Sequence, residues 1–222
     1  MLVKDKKMYH IHKIGKYDEI WQENNEIEVD DNDNSNFIYN ILDIPAGVKL
    51  KNEKVIPVND FIEEILKQMD TKEKILQLKN LSDEEFLRKG DYLYRTLYDS
   101  SVRLKNLALK NREESLEEVR KEKYPNLPSR YHSIWVCDKK QLEFWKKQLK
   151  EKSIIYEVLL NGNLFKSSDV FLPTDGEYKE NQKKEAYTYW NPIFKIEEEE
   201  QKAEYIFQGK VKVLKKINDF DI

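Results

Sequence analysis

The chain has 222 residues, 39% hydrophobic and 36% charged, with four Trp, thirteen Tyr and nine Phe. That length suits one domain carrying an insertion, or two small domains, and the aromatic bulk excludes disorder throughout. The 39 basic and 42 acidic residues leave a net charge of −3, so no whole-molecule basic field draws the chain onto nucleic acid, while a local basic cleft stays open.

A single cysteine, Cys137, excludes a disulfide framework and a cysteine-rich zinc site. The opening MLVKDKKMYHIHKIG lacks the apolar run of a signal peptide, and no stretch approaches a membrane span. Cytoplasm is therefore the expected compartment, with no membrane partner.

MYHIHKIG alternates and is rich in strand formers, which predicts a first strand. DDNDNSN at 30–36 reads as a polar loop, NFIYNIL as a short strand or helix, and Pro45 to Gly47 as a turn. From Asn59 the period changes: Phe61, Ile62, Ile65, Leu66 and Met69 fall on one helical face. Ser82 and Glu85 have capping-box spacing ahead of Phe86, Leu93, Leu97 and Leu104. REESLEEVRKEKY adds a further helix ending before Pro125, so a helical layer is expected over 58–124 with a break near Gly90.

Beyond Pro128 the pattern turns to mixed α/β. SIWVC predicts a strand, DKKQLEFWKKQLKE a helix, and SIIYEVLL a strand running into a turn at Asn161-Gly162 before NLFKSSDVFL. KKEAYTYW predicts a helix stopping at Asn191-Pro192, and IEEEE at 196–200 a solvated loop or helix end. AEYIFQGKVKVLKKI reads as two strands hinged at Gly209. There is no internal repeat and no Gly-rich phosphate loop, so neither a P-loop nor a Rossmann site is expected.

HIH at 10–12 puts two imidazoles on one face of a strand, which suits two metal ligands, but no spacing signals a third or fourth; no metal is expected. Cys137, between Val136 and a helix start, reads as a buried small residue rather than a nucleophile. Tyr187, Tyr189 and Trp190 crowd one short helix, as core or as the lining of a cleft where a base could stack.

Four segments, taken in order, resemble the ADP-ribosyltransferase superfamily, in its compact bacterial branch near the rifampin ADP-ribosyltransferases. Within that branch the chain is most similar to an uncharacterised bacterial domain family with a helical insertion. MYHIHKIG is similar to the first strand with its Tyr-His pair, and EEVRKEKYPNLPSRYHSIWVCDKKQLEFW to the middle signature. SIIYEVLLNGNLFKSSDVF is similar to the strand, Gly turn and acidic loop of the rifampin enzymes, and EAYTYW with AEYIFQGKVKV to the closing glutamate and strand pair. Residues 58–111 lie outside the likeness.

The resemblance implies an α+β fold: one domain of split small β-sheets, with a helical insertion at about 52–124. It implies NAD as substrate, held bent in a cleft, and transfer of ADP-ribose with release of nicotinamide. His10, after Tyr9, would hydrogen-bond the ribose. Trp135, where the rifampin enzymes have tyrosine, would stack on nicotinamide or serve as core. Arg130 would pair with the pyrophosphate, or lock the Pro128 turn to an acidic neighbour; Ser133 would touch ribose or act as a cap. The carboxylate that stabilises the oxocarbenium ion would be Glu204 or, by the rifampin pattern, Asp169.

Lys202 stands where arginine-modifying toxins carry Glu or Gln, which argues against arginine as acceptor. The implied acceptor is a macromolecule, RNA/DNA or protein, and the implied setting a toxin or phage-defence effector with a neutralising antitoxin. Two alternatives remain: an RNA 2′-phosphotransferase, for which Arg120 and Arg130 are the arginines at hand, and a catalytically inactive binding module, the choice if His10 and Glu204 do not converge.

Overall fold

The computed structural model describes residues 1–14, 18–31, 47–49, 55–57, 82–149 and 153–217. The helix expected over 58–69 and the NFIYNIL segment lie outside these residues, as does most of the DDNDNSN loop. Among the described residues no helix is long and apolar enough to cross a membrane. The chain divides into two compact units, one of Met1–Tyr39 with Arg112–Ile222, the other of Asn40–Asn111.

In the smaller unit, β3 (Gly47–Lys49) pairs antiparallel with β4 (Val55–Pro57), Val48 opposite Ile56. Helix α1 (Asp83–Lys123) begins in this unit and ends in the larger one. The capping box forms: Glu85 N–H donates to Ser82 Oγ at 3.3 Å, and Ser82 N–H to Glu85 Oε2 at 3.3 Å. The break expected near Gly90 is absent, and 41 residues run as one helix. A lone interior glycine costs only about 1 kcal/mol against alanine. No proline follows it, and Asp91 pairs with Arg95 one turn on at 2.9 Å. The apolar positions Phe86, Leu97 and Leu104 are exposed rather than buried.

The larger unit is built on antiparallel strands with helices around them, which makes the chain α+β. β1 (Leu2–Lys13) pairs with β6 (Ser153–Ser168), β6 with β7 (Ala203–Ile217), and β7 with both β2 (Glu26–Val29) and β5 (Ile134–Val136). Tyr9 and Cys137 exchange two backbone hydrogen bonds of 2.9 Å, so β1 also meets β5 and the circuit β1–β6–β7–β5 closes.

Closure gives the strands an inner and an outer face. Inward lie Met8, Val136, Tyr156, Val158, Leu160, Leu164, Tyr205, Phe207, Val211 and Val213, packed with Trp21 and Val29. Outward, Phe165 and Ile206 pack on Leu116 and Val119 of α1 and on Ala186, Tyr189 and Trp190 of α3 (Lys179–Trp190). A second outer cluster joins Cys137, Ile155 and Ile217 to Leu142 of α2 (Lys139–Leu149). This two-sided cover explains why AEYIF is buried at all five positions instead of alternating.

β6 and β7 correct the sequence reading at two glycines. Neither the Asn161-Gly162 turn nor the Gly209 hinge exists, and both strands run through. Gly162 stands directly opposite Gly209. A Cβ at Gly209, whose φ is +131°, would lie 2.6 Å from the carbonyl oxygen of Asn161, and one at Gly162 would lie 2.3 Å from that of Gln208. The glycines allow two backbones to press together, a use of glycine in strand interiors that sequence does not distinguish from a turn.

Candidate functional site

Helix α1 leads through Pro125 and Pro128 into a single 3₁₀ turn, Arg130–His132. Ser129 caps it, its Oγ accepting from Tyr131 N–H at 3.2 Å and donating to Glu117 Oε2 at 3.0 Å. Arg120 binds both oxygens of Glu117, at 2.7 and 2.9 Å, and donates to the carbonyls of Pro125 and Leu127. The loop is thereby tied to the helix it has just left.

That tie aims Arg130, 3% exposed, into the outer face of the sheet. Its Nε donates to Glu113 Oε2 at 2.7 Å and its Nη2 to Glu113 Oε1 at 3.2 Å. Its Nη1 donates to the Tyr189 hydroxyl at 2.5 Å and to Glu204 Oε1, and Tyr189 donates to that same oxygen at 2.5 Å. Arg112 holds Glu113 from the other side at 3.0 Å and reaches Asp175 at 2.9 Å. Burial alone would push the Glu113 carboxyl up, but the guanidinium groups of Arg130 and Arg112 outweigh it and the carboxyl lies below its usual range. Burial likewise works against the Arg130 charge, and Glu113 and Glu204 reverse that, holding Arg130 well above its ordinary value.

This buried hub joins α1, the 3₁₀ turn, α3 and β7 through one guanidinium. Arg130 locks the turn to acidic neighbours, the second of the two roles expected of it. Glu204, 5% exposed, is engaged by Arg130 and Tyr189. Trp135 packs on the same outer cluster, its ring centroid 5.4 Å from the Arg130 guanidinium. Its indole is half-buried against that cluster.

His10 sits elsewhere. It pairs with Tyr156 across β1 and β6 and faces inward, stacked on Trp21 with centroids 3.9 Å apart and planes inclined by 14°. Ring Nδ1 lies 2.9 Å from the carbonyl oxygen of Trp135. Burial lowers the imidazole to about 4, so it is neutral near pH 7. A carbonyl only accepts, so Nδ1 carries the proton and Nε2 is left as an acceptor. His12, beside it, meets Asp18 at 2.7 Å. Tyr9 points outward, against the cluster of Cys137, Leu142 and Ile155. First-strand histidine and middle strand do touch, but His10 faces inward while Glu204 and Trp135 face outward. The set drawn from sequence does not converge on one cleft.

Ser133 follows the 3₁₀ turn; it is buried, and its Oγ has no hydrogen-bond partner among the described residues. Cys137 is buried, its thiol pushed up to about 12 by burial and by Asp138, which fits a packing role. Asp169 opens a 3₁₀ turn, Asp169–Phe171, at the end of β6. Solvent reaches it, yet the protein packed on its inner side raises its carboxyl and Glu204 raises it further, against Arg112, Lys202 and Arg130. Of the two candidate carboxylates, Asp169 is the open one.

Sequence reading missed Glu113 and Tyr189 as partners of Arg130. A signal existed on α1: Glu113, Leu116, Glu117 and Arg120 recur at helical spacing and are buried or half-buried together. Charges placed within a buried stripe need partners of opposite sign.

The architecture is thus that of an α+β protein with a coiled antiparallel sheet and a buried ion-pair hub on its outer face. The sequence profile of a family described as "Protein of unknown function (DUF2441)" matches residues 8–219, and the chain belongs to that family. No curated protein matches it.

Proposed function

We propose that the chain is a binding module on an ADP-ribosyltransferase-like sheet, and that Glu204 does structural work rather than catalysis. One observation carries this reading: Glu204 is buried between Arg130 and Tyr189 on the outer face, while His10 lies on the inner one. An oxocarbenium ion is stabilised by a carboxylate placed where positive charge develops. A carboxylate already neutralised by a guanidinium, and closed from solvent, has no such freedom.

A second reading, ADP-ribosyl transfer from NAD to a macromolecular acceptor, is favoured by Asp169. That carboxylate is open to solvent and has a raised proton affinity, at the position of the acidic loop in the rifampin enzymes. The adjacency of β1, β5 and β7 is consistent with either reading.

Nicotinamide release from NAD by the wild-type chain, Glu204→Gln and Asp169→Asn separates them, with RNA, DNA and protein offered as acceptors. The binding-module reading expects no release above the protein-free blank from any of the three. Release by wild type that Asp169→Asn abolishes, with ADP-ribose found on the acceptor by mass spectrometry, establishes transfer through Asp169. Release that Glu204→Gln abolishes without loss of stability returns Glu204 to catalysis.

A further inference from the structure

The end of α1, the 3₁₀ turn after β6 and the C-terminal end of α3 enclose an open groove of about 370 Å³ on the larger unit. Tyr124, Phe171 and Tyr187 supply aromatic surface, Ile193 an apolar edge, and Asn191 and Lys195 polar groups. The volume is at the small end of the range for small-molecule sites, about 300–1,000 Å³, enough for one nucleotide unit.

The walls are held from behind. Tyr124 N–H donates to the Arg120 carbonyl at 2.7 Å, and both Tyr124 and Phe171 rest on the outer core cluster. Phe171 meets Phe194 edge to face at 5.5 Å. Tyr187 differs from its neighbours Tyr189 and Trp190, which are fully buried: 38% of it is exposed, and it projects into the groove. The sequence places three aromatics on this helix, and only Tyr187 is left for a ligand.

The polar groups are disposed to orient one. Asn191 caps α3 with its backbone, N–H to the Tyr187 carbonyl at 3.0 Å, which leaves its exposed carboxamide to pair with a base edge through one donor and one acceptor. Lys195 is exposed. Glu199, the carboxylate on the groove, accepts from the backbone N–H groups of Lys195 and Ile196. A flat face to stack, an amide to read an edge and one exposed ammonium together match a nucleobase joined to a phosphate.

From this complementarity we infer that the groove binds a nucleotide unit, the base on Tyr187 and the phosphate on Lys195. The inference rests on the binding-module reading and names its ligand class. The unit can come free or as part of a single strand, since every base presents a π-face and every nucleotide a phosphate.

Calorimetry on the full chain with AMP, adenosine, inorganic phosphate and a short single-stranded oligoadenylate tests it. AMP is expected to bind more tightly than adenosine, and phosphate alone not at all. Tyr187→Ala should weaken AMP by at least about fivefold, the lower end of a base–aromatic stack. Lys195→Ala should weaken AMP but leave adenosine unchanged. Oligoadenylate tighter than AMP identifies a strand as the source, and AMP at least as tight identifies the free nucleotide. Both variants lie on exposed side chains, and an unchanged melting temperature excludes misfolding. AMP affinity indifferent to both substitutions, or no binding by any nucleotide, overturns the groove assignment. Either result leaves the binding-module reading standing, because that reading fails on nicotinamide release and not on affinity.

Discussion

Removing Arg130 should unfold the larger unit more readily than almost any other single change. Arg130→Met keeps roughly the length of the side chain and removes the cation. Among the described residues, Glu113, fully buried, would retain only Arg112, and Glu204 would retain only the hydroxyl of Tyr189. Taking one partner from a buried ion pair costs about 3–5 kcal/mol, because the remaining charge is uncompensated. For a chain of this size that corresponds to a fall in melting temperature of roughly 6–20 °C.

The pH dependence gives the cause away. In the wild type the Glu113 carboxyl is held below its usual range, so its stabilisation is present above the unfolded value and is lost as pH falls. In Arg130→Met the stranded carboxyls bind protons more tightly when folded than when unfolded. Their penalty is therefore relieved as pH falls, and the gap between variant and wild type should narrow from about pH 7 to about pH 5. Replacing Glu113, Arg130 and Glu204 together with apolar residues of similar volume should recover much of the loss. Urea denaturation across that pH range measures all of this. A deficit in Arg130→Met under about 1 kcal/mol, the value of an exposed pair, or one that widens on acidification, refutes the hub.

Gly209→Ala should destabilise by about 1–3 kcal/mol as its methyl group meets the Asn161 carbonyl, measured by thermal melting; a neutral result would mean the strands can move apart. His10 should titrate near 4 by NMR of its ring nitrogens. Its folded value lies below the unfolded one, so the stability it contributes is full above 6.5 and lost as pH falls toward 4. An ordinary titration near 6.5 would show the Trp21 stack to be open. Cys137 should react with a thiol reagent only as fast as the chain unfolds, since its thiol is buried and raised to about 12; rapid labelling of native protein would contradict its place in the core.

What sequence made legible was local. The helix of Lys139–Leu149, the Tyr-rich helix and the strand through Trp135 each announce themselves within a dozen residues by period and by flanking turn residues. The Ser82 cap is fixed by a spacing of three. Gly162 and Gly209 misled because a glycine needed for close strand approach looks, in one dimension, like a glycine needed for a turn. Gly90 misled because the cost of one glycine is small beside a long run of good helix formers.

The expected site residues part onto two faces for a different reason. His10, Trp135 and Glu204 lie on neighbouring strands, as strand order implied, but strand order does not say which face a side chain takes. One residue of register decides that, and register here depends on pairings more than a hundred residues apart, such as His10 with Tyr156. Sequence reads Arg130 as either a pyrophosphate ligand or a lock on its turn. Choosing between them required Glu113 and Tyr189, which lie 17 and 59 residues away along the chain.

The stability of Glu204→Gln tests the central claim most directly. The amide keeps the shape of the side chain and removes the charge shared with Arg130 and Tyr189, so equilibrium urea unfolding should show a loss of about 1.5–3 kcal/mol, the worth of hydrogen bonds to a charged group. Wild-type stability in Glu204→Gln would mean that the carboxylate does not hold the fold, and the structural role assigned to it here would be wrong.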